Sequence, residues 1–176
     1  PDHYYGSSAG KLKGRKVSLY EGGIRVPGLL SWPDAIPAKQ VLDQPVAAMD
    51  IMPSMLKIAG GDPQPYGVDG IDIMPYVTKG QPLPQRDLYW EMNDQTAIRR
   101  GNMKLVLKGQ LVEGSPPEDE VHLADLDQDM GECNNVANEN PQLTHELTQA
   151  AQKWRTTIEK DWQIMQETPS GPVSHM

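Results

Sequence analysis

The spacing of apolar residues is clearest near the end of the chain. From about Pro141 to Met165 they recur every three or four positions, which predicts an amphipathic helix with one apolar stripe. Asn140 is suited to cap this helix and Pro141 to begin it. The stripe comprises Leu143, Leu147, Ala150, Trp154, Ile158, Trp162 and Met165. We expect it to cover one face of a sheet, with Trp154 and Trp162 as core anchors rather than a ligand platform.

Ahead of this helix the pattern changes to short runs that are typical of β-strands. The runs are RDLYWEM, TAIRRG, MKLVLK and VHLADL. β-Branched and aromatic residues favour strands, and Gly101-Asn102 is suited to a hairpin turn between the second and third runs. Because the runs are short and closely spaced, we expect a small antiparallel sheet. Sheet and helix together predict an α+β fold.

The first half of the chain is richer in turns and contains two candidate elements. Residues 24–32 are mostly apolar and predict a buried or edge strand, in which Pro27 removes one ladder donor. The run MDIMPSMLKIAGG predicts a short helix capped by Asp50, with Pro53 in its first turn and Gly60 after its last. Its predicted apolar face is formed by Met52, Leu56 and Ala59, with Met55 and Ile58 beside it.

The net charge limits the classes of partner. The 176 residues carry a formal net charge of −8, which argues against a nucleic-acid or other polyanion binder. No run is long and apolar enough to predict a membrane span. The single cysteine, Cys133, excludes an internal disulfide framework and a zinc site built on cysteines. We therefore expect neither nucleic acid nor a membrane among the partners of this chain.

One short segment runs against this acidic composition. Four cations fall within six residues: Lys11, Lys13, Arg15 and Lys16. Glycines on both sides, including the pair Gly22-Gly23, allow the backbone to approach a ligand closely. A lysine ammonium is suited to a tetrahedral anion such as sulfate or phosphate. A local anion site and an ordinary solvated basic loop are both compatible with this spacing.

Two other patterns point to chemistry only weakly. Cys133 lies in a loop, near His122 and His145 in sequence, and the expected interpretation is an inert cysteine rather than a nucleophile. Asp125, Asp127 and Asp129 alternate as in a calcium-binding loop; however, Met130 and Val136 occupy the positions where such a loop needs glycine and glutamate. We interpret this stretch as a solvated acidic turn.

Five segments, taken in order, resemble features of the sulfatases. The first, SAGKLKGRKVSLYEGGIRVPGLLSWP, is similar to the sulfatase signature, which runs into Tyr-Glu-Gly-Gly-x-Arg-x-Pro and ends near Trp-Pro. The other four are VAAMDIMPSMLKIAG, GVDGIDIMPYV, AIRRGNMKLVL and VHLADLDQDMGECNNVA. Met103 stands where the family usually has tryptophan. The resemblance covers residues 7 to about 160, and it is specific to the family but not to one substrate.

The resemblance implies the C-terminal part of an arylsulfatase-type enzyme with an alkaline-phosphatase-like fold. The parent enzyme would hydrolyse sulfate esters to an alcohol and inorganic sulfate. The family's sulfate-contacting lysine matches Lys16, which would neutralise charge on the sulfuryl oxygens. His3 and Tyr4 lie where variable substrate-recognition loops sit. For Arg25 the expected role is a structural ion pair with an acid. Positions that shape the pocket wall in the family match Tyr20, Glu21, Gly22, Gly23 and Arg25.

The same resemblance implies cofactors that this chain is not expected to hold by itself. Sulfatases use a formylglycine made in a Cys/Ser-x-Pro/Ala-x-Arg motif, and neither Cys133 nor Ser115 lies in one. The family's calcium is bound by an Asp-Asp and an Asp-Asn pair, and Pro1-Asp2 resembles the residues that follow the second pair. Reading Asp2-His3 as a degenerate pair is an alternative. We therefore expect the chain alone to lack nucleophile and metal ligands and to be inactive. The rival hypothesis is a non-catalytic binding or scaffold module that retains the same fold.

The expected organisation has three parts. Residues 1–84 would be the last segment of the catalytic α/β domain, residues 85–168 the sheet-and-helix subdomain, and residues 169–176 a disordered tail. The implied partners are a sulfate-ester substrate and the missing N-terminal sulfatase domain. A segment of a larger fold should expose apolar surface around residues 24–30, so we also expect self-association. The resemblance implies an extracellular, periplasmic or lysosomal location.

Overall fold

The computed structural model describes residues 8–167, with side chains for residues 8–166. These residues form two compact units: residues 8–26 with 86–167, called here the sheet unit, and Pro27–Gln85, called the short-helix unit. The helices are α1 (Glu21–Ile24), α2 (Ile51–Ile58), α3 (Met74–Lys79) and α4 (Pro141–Glu167). The strands are β1 (Asp87–Met92), β2 (Gln95–Arg100), β3 (Met103–Leu107) and β4 (Val121–Asp125). Two 3-10 turns, Ala48–Asp50 and Gln64–Tyr66, lie in the short-helix unit.

The four strands form one antiparallel sheet in the order β1-β2-β3-β4. Its register places Ile98 opposite Leu105, and Leu105 opposite Leu123. These three side chains pack against Leu147 and Ala151 of α4 in a fully buried core. The predicted sheet covered by the C-terminal helix is therefore confirmed.

The other face of the sheet is covered by a loop rather than a helix. Because successive side chains of a strand point to opposite faces, Ala97 and Val106 project away from α4. They pack against Leu19 and Tyr20, which are buried. The basic segment that precedes these two residues is thereby held against the sheet.

Helix α4 extends well beyond the sheet that it covers. Trp154 stacks on Tyr89 of β1 with ring centroids 4.9 Å apart, as expected of a core anchor. Trp162 is 58% exposed and Met165 62% exposed, so the prediction of Trp162 as a second anchor is wrong. The 27 residues of α4 span about 40 Å, whereas a six-residue strand spans about 20 Å. The last turns of the helix therefore lie past the sheet.

The short-helix unit has a small core of its own. Ile73, Tyr76 and Val77, at and within α3, are buried together. Partly buried apolar residues packed against them are Ile36, Ile71 and Leu83. Residues 24–32, predicted as a strand, form the end of α1 followed by irregular chain, so that prediction is wrong. Pro27 lacks a donor, and no described residue outside the four-stranded sheet provides a partner strand.

Helix α2 forms where it is predicted, but it buries a different face. Asp50, which directly precedes the helix, accepts hydrogen bonds from the amides of Ala47 (2.7 Å) and Ile71 (3.0 Å). Its side chain thus holds neighbouring segments and makes no capping bond to the helix. Ser54 is buried, and its Oγ accepts a hydrogen bond of 3.0 Å from the Ile73 amide. The exposed apolar side chains of this helix are Ile51, Met52, Met55 and Ile58.

The break between the compact units lies one residue from the predicted boundary at residues 84 and 85. Residues 8–26 nevertheless pack with the sheet, although the prediction groups them with residues 27–84. The predicted division concerns the domains of a longer enzyme and stays a prediction. The predicted disordered tail, residues 169–176, lies outside the described part of the chain. Within residues 8–167, no helix combines the length and apolarity needed to cross a membrane.

Candidate anion site and its support

The basic segment folds back on itself to form a compact loop. The Ser18 amide donates to the Arg15 carbonyl (2.8 Å), and the Gly22 amide donates to the Lys13 carbonyl (2.8 Å). The second bond joins the start of the loop to α1. Bonds within the segment thus close the loop, and contacts with Gln95 and Glu132 hold its backbone to the sheet unit.

Gly22 and Gly23 are required by the closeness of this packing. A Cβ added at Gly22 would overlap the backbone oxygens of Lys13 and Gly14. One added at Gly23 would overlap the carbonyl oxygens of Arg15 and Ser18. The glycine pair therefore permits a close approach between two backbone segments of this chain, whereas the predicted close approach was to a ligand.

An open cavity of about 300 Å³ lies at the surface of this loop. Its lining residues are Ser8, Ala9, Leu12, Arg15, Lys16, Gly22 and Arg25. Three of the seven are cationic and none is acidic, in a chain whose net charge is −8. Lys16 is exposed and Arg15 half-buried. This concentration of positive charge is suited to a small anion.

The structure distributes the remaining predicted site residues differently. Lys13 does not line the cavity, because its Nζ forms an ion pair with Glu118 (2.7 Å) and lies 4.7 Å from the centre of the Tyr20 ring. His3 and Tyr4 lie outside the described residues. Of the predicted residues, Arg15, Lys16, Gly22 and Arg25 line the cavity together.

Beneath the loop lies a buried ionic cluster. Glu21, the first residue of α1, is 3% exposed, and its Oε1 lies 2.9 Å from Nζ of Lys104 in β3. Lys104 Nζ also lies 3.0 Å from Glu132 Oε1, close enough for an ion pair but without the alignment of a hydrogen bond. Glu132 Oε2 accepts a hydrogen bond of 2.5 Å from the Glu21 amide. Lys104 and Glu132 are fully buried, so this cluster ties the loop to the sheet in a region of low dielectric.

The environment of the cluster shifts the ionisation of its members. Burial raises the pKa of the Glu132 carboxyl, while Lys104 and the Glu21 amide partly oppose that shift. Arg25 Nη1 lies 3.6 Å from Glu21 Oε2, which confirms the expected ion pair between Arg25 and an acid. Arg25 therefore lies between the buried acid and the cavity.

A further strained feature follows Lys16 directly. Val17 has a φ of 78°, in the left-handed region that β-branched residues rarely adopt. Such a conformation costs on the order of 1–3 kcal/mol and persists only where the surroundings impose it. The side chain of Gln95, at the start of β2, donates from Nε2 to the Val17 carbonyl at 2.9 Å. The strained residue is thus held by the sheet.

Sequence reasoning identified none of the supporting residues Gln95, Lys104 and Glu132. Lys104 left a usable signal, because it lies in a predicted strand and shares a face with the apolar Val106, two positions on. An isolated cation at an inward position of a strand indicates a buried partner acid. Gln95 and Glu132 left no comparable signal, since polar residues are ordinary beside turns.

Tyr20 forms the rigid back of the loop. Its ring meets the His122 ring edge-on with centroids 5.3 Å apart, and an added Cβ at Gly109 would overlap it. Burial raises the pKa of the Tyr20 hydroxyl, with smaller contributions from Glu118 and Asp119. His122 Nδ1 is hydrogen-bonded to Asp119 at 2.8 Å. These contacts fix the position of Tyr20, which follows Lys16 by four residues.

The two weaker sequence patterns gain no support from the structure. Cys133 is exposed, and its Sγ lies 3.6 Å from the Gly131 carbonyl. Asp129 Oδ2 accepts hydrogen bonds from the amide and side chain of Asn134. Within residues 8–167, no three His, Cys, Asp or Glu side chains are grouped so that they could hold a metal ion. Calcium is therefore not assigned to any described residue.

Comparison with known proteins identifies the family. Residues 15–159 match the family model described as "N-sulphoglucosamine sulphohydrolase, C-terminal". This chain belongs to the sulfatase family. The match includes Lys16, the glycine pair, Lys104 and Glu132, and it confirms the resemblance drawn from the five sequence segments.

Curated sulfatases align with different lengths of the chain. Human steryl-sulfatase is 49% identical over 72 residues, which are 40% of this chain and 12% of that protein. An uncharacterized sulfatase of Schizosaccharomyces pombe is 32% identical over 142 residues, 75% of this chain and 25% of that protein. The chain thus spans a quarter or less of the length of these relatives.

A solved structure confirms the fold class. The crystal structure of Ps i-CgsB is 28% identical, superposes with a TM-score of 0.69, and covers 81% of this chain and 31% of its own. The α+β architecture with a small antiparallel sheet and a C-terminal helix is thus that of the C-terminal part of an alkaline-phosphatase-like sulfatase.

Proposed function

We propose that this chain supplies one cationic wall of a sulfate-ester pocket, in a sulfatase that hydrolyses sulfate esters to an alcohol and inorganic sulfate. The observation that carries the proposal is the cavity that Lys16 shares with Arg15 and Arg25. An acidic chain concentrates positive charge there, on the segment that matches the sulfatase signature. The family membership supplies the class of anion.

The role proposed for Lys16 is electrostatic. A sulfate ester carries negative charge on its sulfuryl oxygens before, during and after cleavage. A fixed ammonium beside those oxygens would favour binding and would offset charge that develops in the transition state. Arg15 and Arg25 would add to the local potential, and His3 and Tyr4 are proposed to contact the alcohol portion of the substrate.

The parent enzyme is proposed to use formylglycine and calcium, and the described residues fit neither. Cys133 is outside the motif that yields formylglycine, and no metal-binding group is formed within residues 8–167. We propose that nucleophile and metal come from the rest of the sulfatase polypeptide. The exposed apolar side chains of the short-helix unit are proposed to pack against that polypeptide. The chain alone is expected to release no product from an aryl sulfate, and measurable turnover by the purified chain would contradict this.

Titration with inorganic sulfate tests the proposed site directly. Binding is followed by NMR against sodium chloride at equal ionic strength, because general screening must be separated from specific binding. We expect Lys16→Met to weaken sulfate binding about tenfold, which equals about 1.4 kcal/mol. The matched control is Lys11→Met, which removes an exposed lysine of the same loop that does not line the cavity. Equal affinities in the wild type and Lys16→Met would overturn the proposal.

A further inference from the structure

The turn at Lys16 has a conformation that its own sequence disfavours. Among residues 8–167, Val17 is the one β-branched residue with a positive φ, which is 78°. A branched Cβ crowds the backbone there, whereas glycine adopts this φ readily. Since Val17 follows Lys16 directly, its φ helps to set the direction in which the chain carries the lysine. Something outside the turn must keep it in this state.

Gln95 contacts the strained residue itself and the chain just after it. Its Nε2 donates to the Val17 carbonyl at 2.9 Å, and its Oε1 accepts from the Leu19 amide at 3.4 Å. Oε1 also accepts from the Gln110 amide at 2.9 Å. The Gln95 side chain is fully buried, so these groups have no water to replace a lost partner.

The backbone of Gln95 is itself held by two structural elements. In the sheet, Gln95 pairs with Met92 at the β1–β2 turn. From α4, Arg155 Nη1 donates to the Gln95 carbonyl at 3.2 Å and Nη2 donates to the Asn93 carbonyl at 2.6 Å. A continuous set of contacts therefore runs from α4 through Gln95 to the turn at Lys16.

We infer that Gln95 is a positioning residue for Lys16: it holds Val17 in the left-handed conformation and so directs Lys16 into the cationic cavity. The inference about the turn stands on the geometry alone. Its consequence for sulfate binding rests on the proposed function. Gln95 is separated from Val17 by 78 positions, and no sequence motif connects the two.

A rescue experiment separates positioning from general stabilisation. Gln95→Leu removes every side-chain hydrogen bond at nearly constant volume. In that background Val17→Gly removes the strain that Gln95 is inferred to oppose, because glycine tolerates a φ of 78°. If Gln95 only stabilised the fold in general, relieving the strain at Val17 would not restore what the loss of Gln95 removes.

The first measurement is the sulfate affinity of the wild type, the two single variants and the double variant. We expect Gln95→Leu to weaken binding about tenfold and the double variant to recover to within about twofold of the wild type. Val17→Gly alone should bind within about twofold of the wild type. Unchanged affinity in Gln95→Leu, or a double variant as weak as Gln95→Leu, would overturn the inferred effect on Lys16.

The second measurement does not depend on sulfate. A strong intraresidue Overhauser effect between amide and Hα protons at Val17 reports the left-handed conformation. We expect it in the wild type and expect its loss in Gln95→Leu, and its persistence there would overturn the inference. If Lys16→Met fails to alter sulfate binding, the proposed function fails, and this measurement still decides the role of Gln95.

A third measurement tests the inference if Gln95→Leu does not fold. In that case folding of Gln95→Leu/Val17→Gly, measured by circular dichroism, supports the inference. The control is Gln95→Leu/Val26→Gly, since Val26 is 79% exposed and lacks a positive φ. Equal failure of both double variants would overturn the inference.

Discussion

The loop of residues 8–26 and the short-helix unit contain little regular structure, yet they differ in what they bury. The loop places Glu21 and Tyr20 in the interior of the sheet unit. There Glu21 forms an ion pair with Lys104, and Tyr20 packs against Val106. The short-helix unit leaves Leu29 93% exposed and Val41 85% exposed around a small core. A charged loop therefore finds its packing partners within this chain, whereas the apolar side chains of the short-helix unit do not. Which side chains are buried depends here more on the partners available than on hydropathy.

The sharpest test of this comparison is removal of the buried cation. Lys104→Met removes the cation that Glu21 and Glu132 share. Glu21 keeps Arg25 at 3.6 Å, but the fully buried carboxyl of Glu132 loses its cation, so we expect the sheet unit to lose about 3–5 kcal/mol of unfolding free energy. Lys57→Met is the matched change in the short-helix unit, where the ion pair with Asp62 is exposed on both sides. It should cost less than about 1 kcal/mol. Urea denaturation measures both, and similar losses would remove the distinction between the two regions.

One glycine from each region gives a second comparison, in which we expect a smaller loss of stability. Gly23→Ala would force a Cβ into the carbonyl oxygens of Arg15 and Ser18, and we expect a loss of about 2–3 kcal/mol. Gly28 has open space around its missing Cβ, so Gly28→Ala should change stability by less than about 1 kcal/mol. Thermal denaturation followed by circular dichroism compares the two. A tolerated Gly23→Ala would show that the loop is less closely packed than described.

Acid stability should depend on a pair at the edge of the sheet. Hydrogen bonding to Arg100 lowers the pKa of Asp87 below its ordinary value of 3.8. The stability from this pair is therefore present above pH 3.8 and is lost as the pH falls through the lowered pKa. Asp87→Asn should reduce stability at pH 7 by up to about 1 kcal/mol and flatten the acid dependence.

Arg100→Gln is the matched control for this pair. It should produce the same loss as Asp87→Asn, and the double variant should lose no more than either single variant. Additive losses in denaturation at pH 7 would show that the two side chains act separately.

The smallest effect on folding is expected at the exposed apolar side chains. Leu29→Ser/Val41→Ser should alter unfolding free energy by less than about 1 kcal/mol, because neither side chain is packed. The same change should reduce self-association in sedimentation velocity, since exposed apolar patches favour it. Met130→Ser, at a residue 48% exposed in the sheet unit, is the control. A wild-type chain that sediments as a monomer would contradict the predicted association.

The sequence predicted the helix and strands of the sheet unit better than it predicted the buried polar residues that support the candidate site. Periodicity located α4 and the four strands, because those patterns reflect which face is buried. It could not reveal that Trp162 lies beyond the sheet, since the reach of a helix depends on the length of its partner. The resemblance drew attention to Lys16, but Gln95 and Glu132 depend on contacts across 78 and 111 positions. The strand prediction at residues 24–32 failed because apolar content alone does not supply a pairing partner.

The ionic cluster also has a consequence for the order of folding. The hairpins of the sheet join neighbouring segments, whereas Glu21 meets Lys104 across 83 positions and Glu132 across 111. Contacts between distant positions form late, because closing a long loop is entropically costly until a surface exists to receive it. During synthesis the basic segment and Glu21 emerge before Glu132, which is made more than a hundred residues later. The loop that carries Lys16 is therefore expected to reach its final place only after Glu132 has been made.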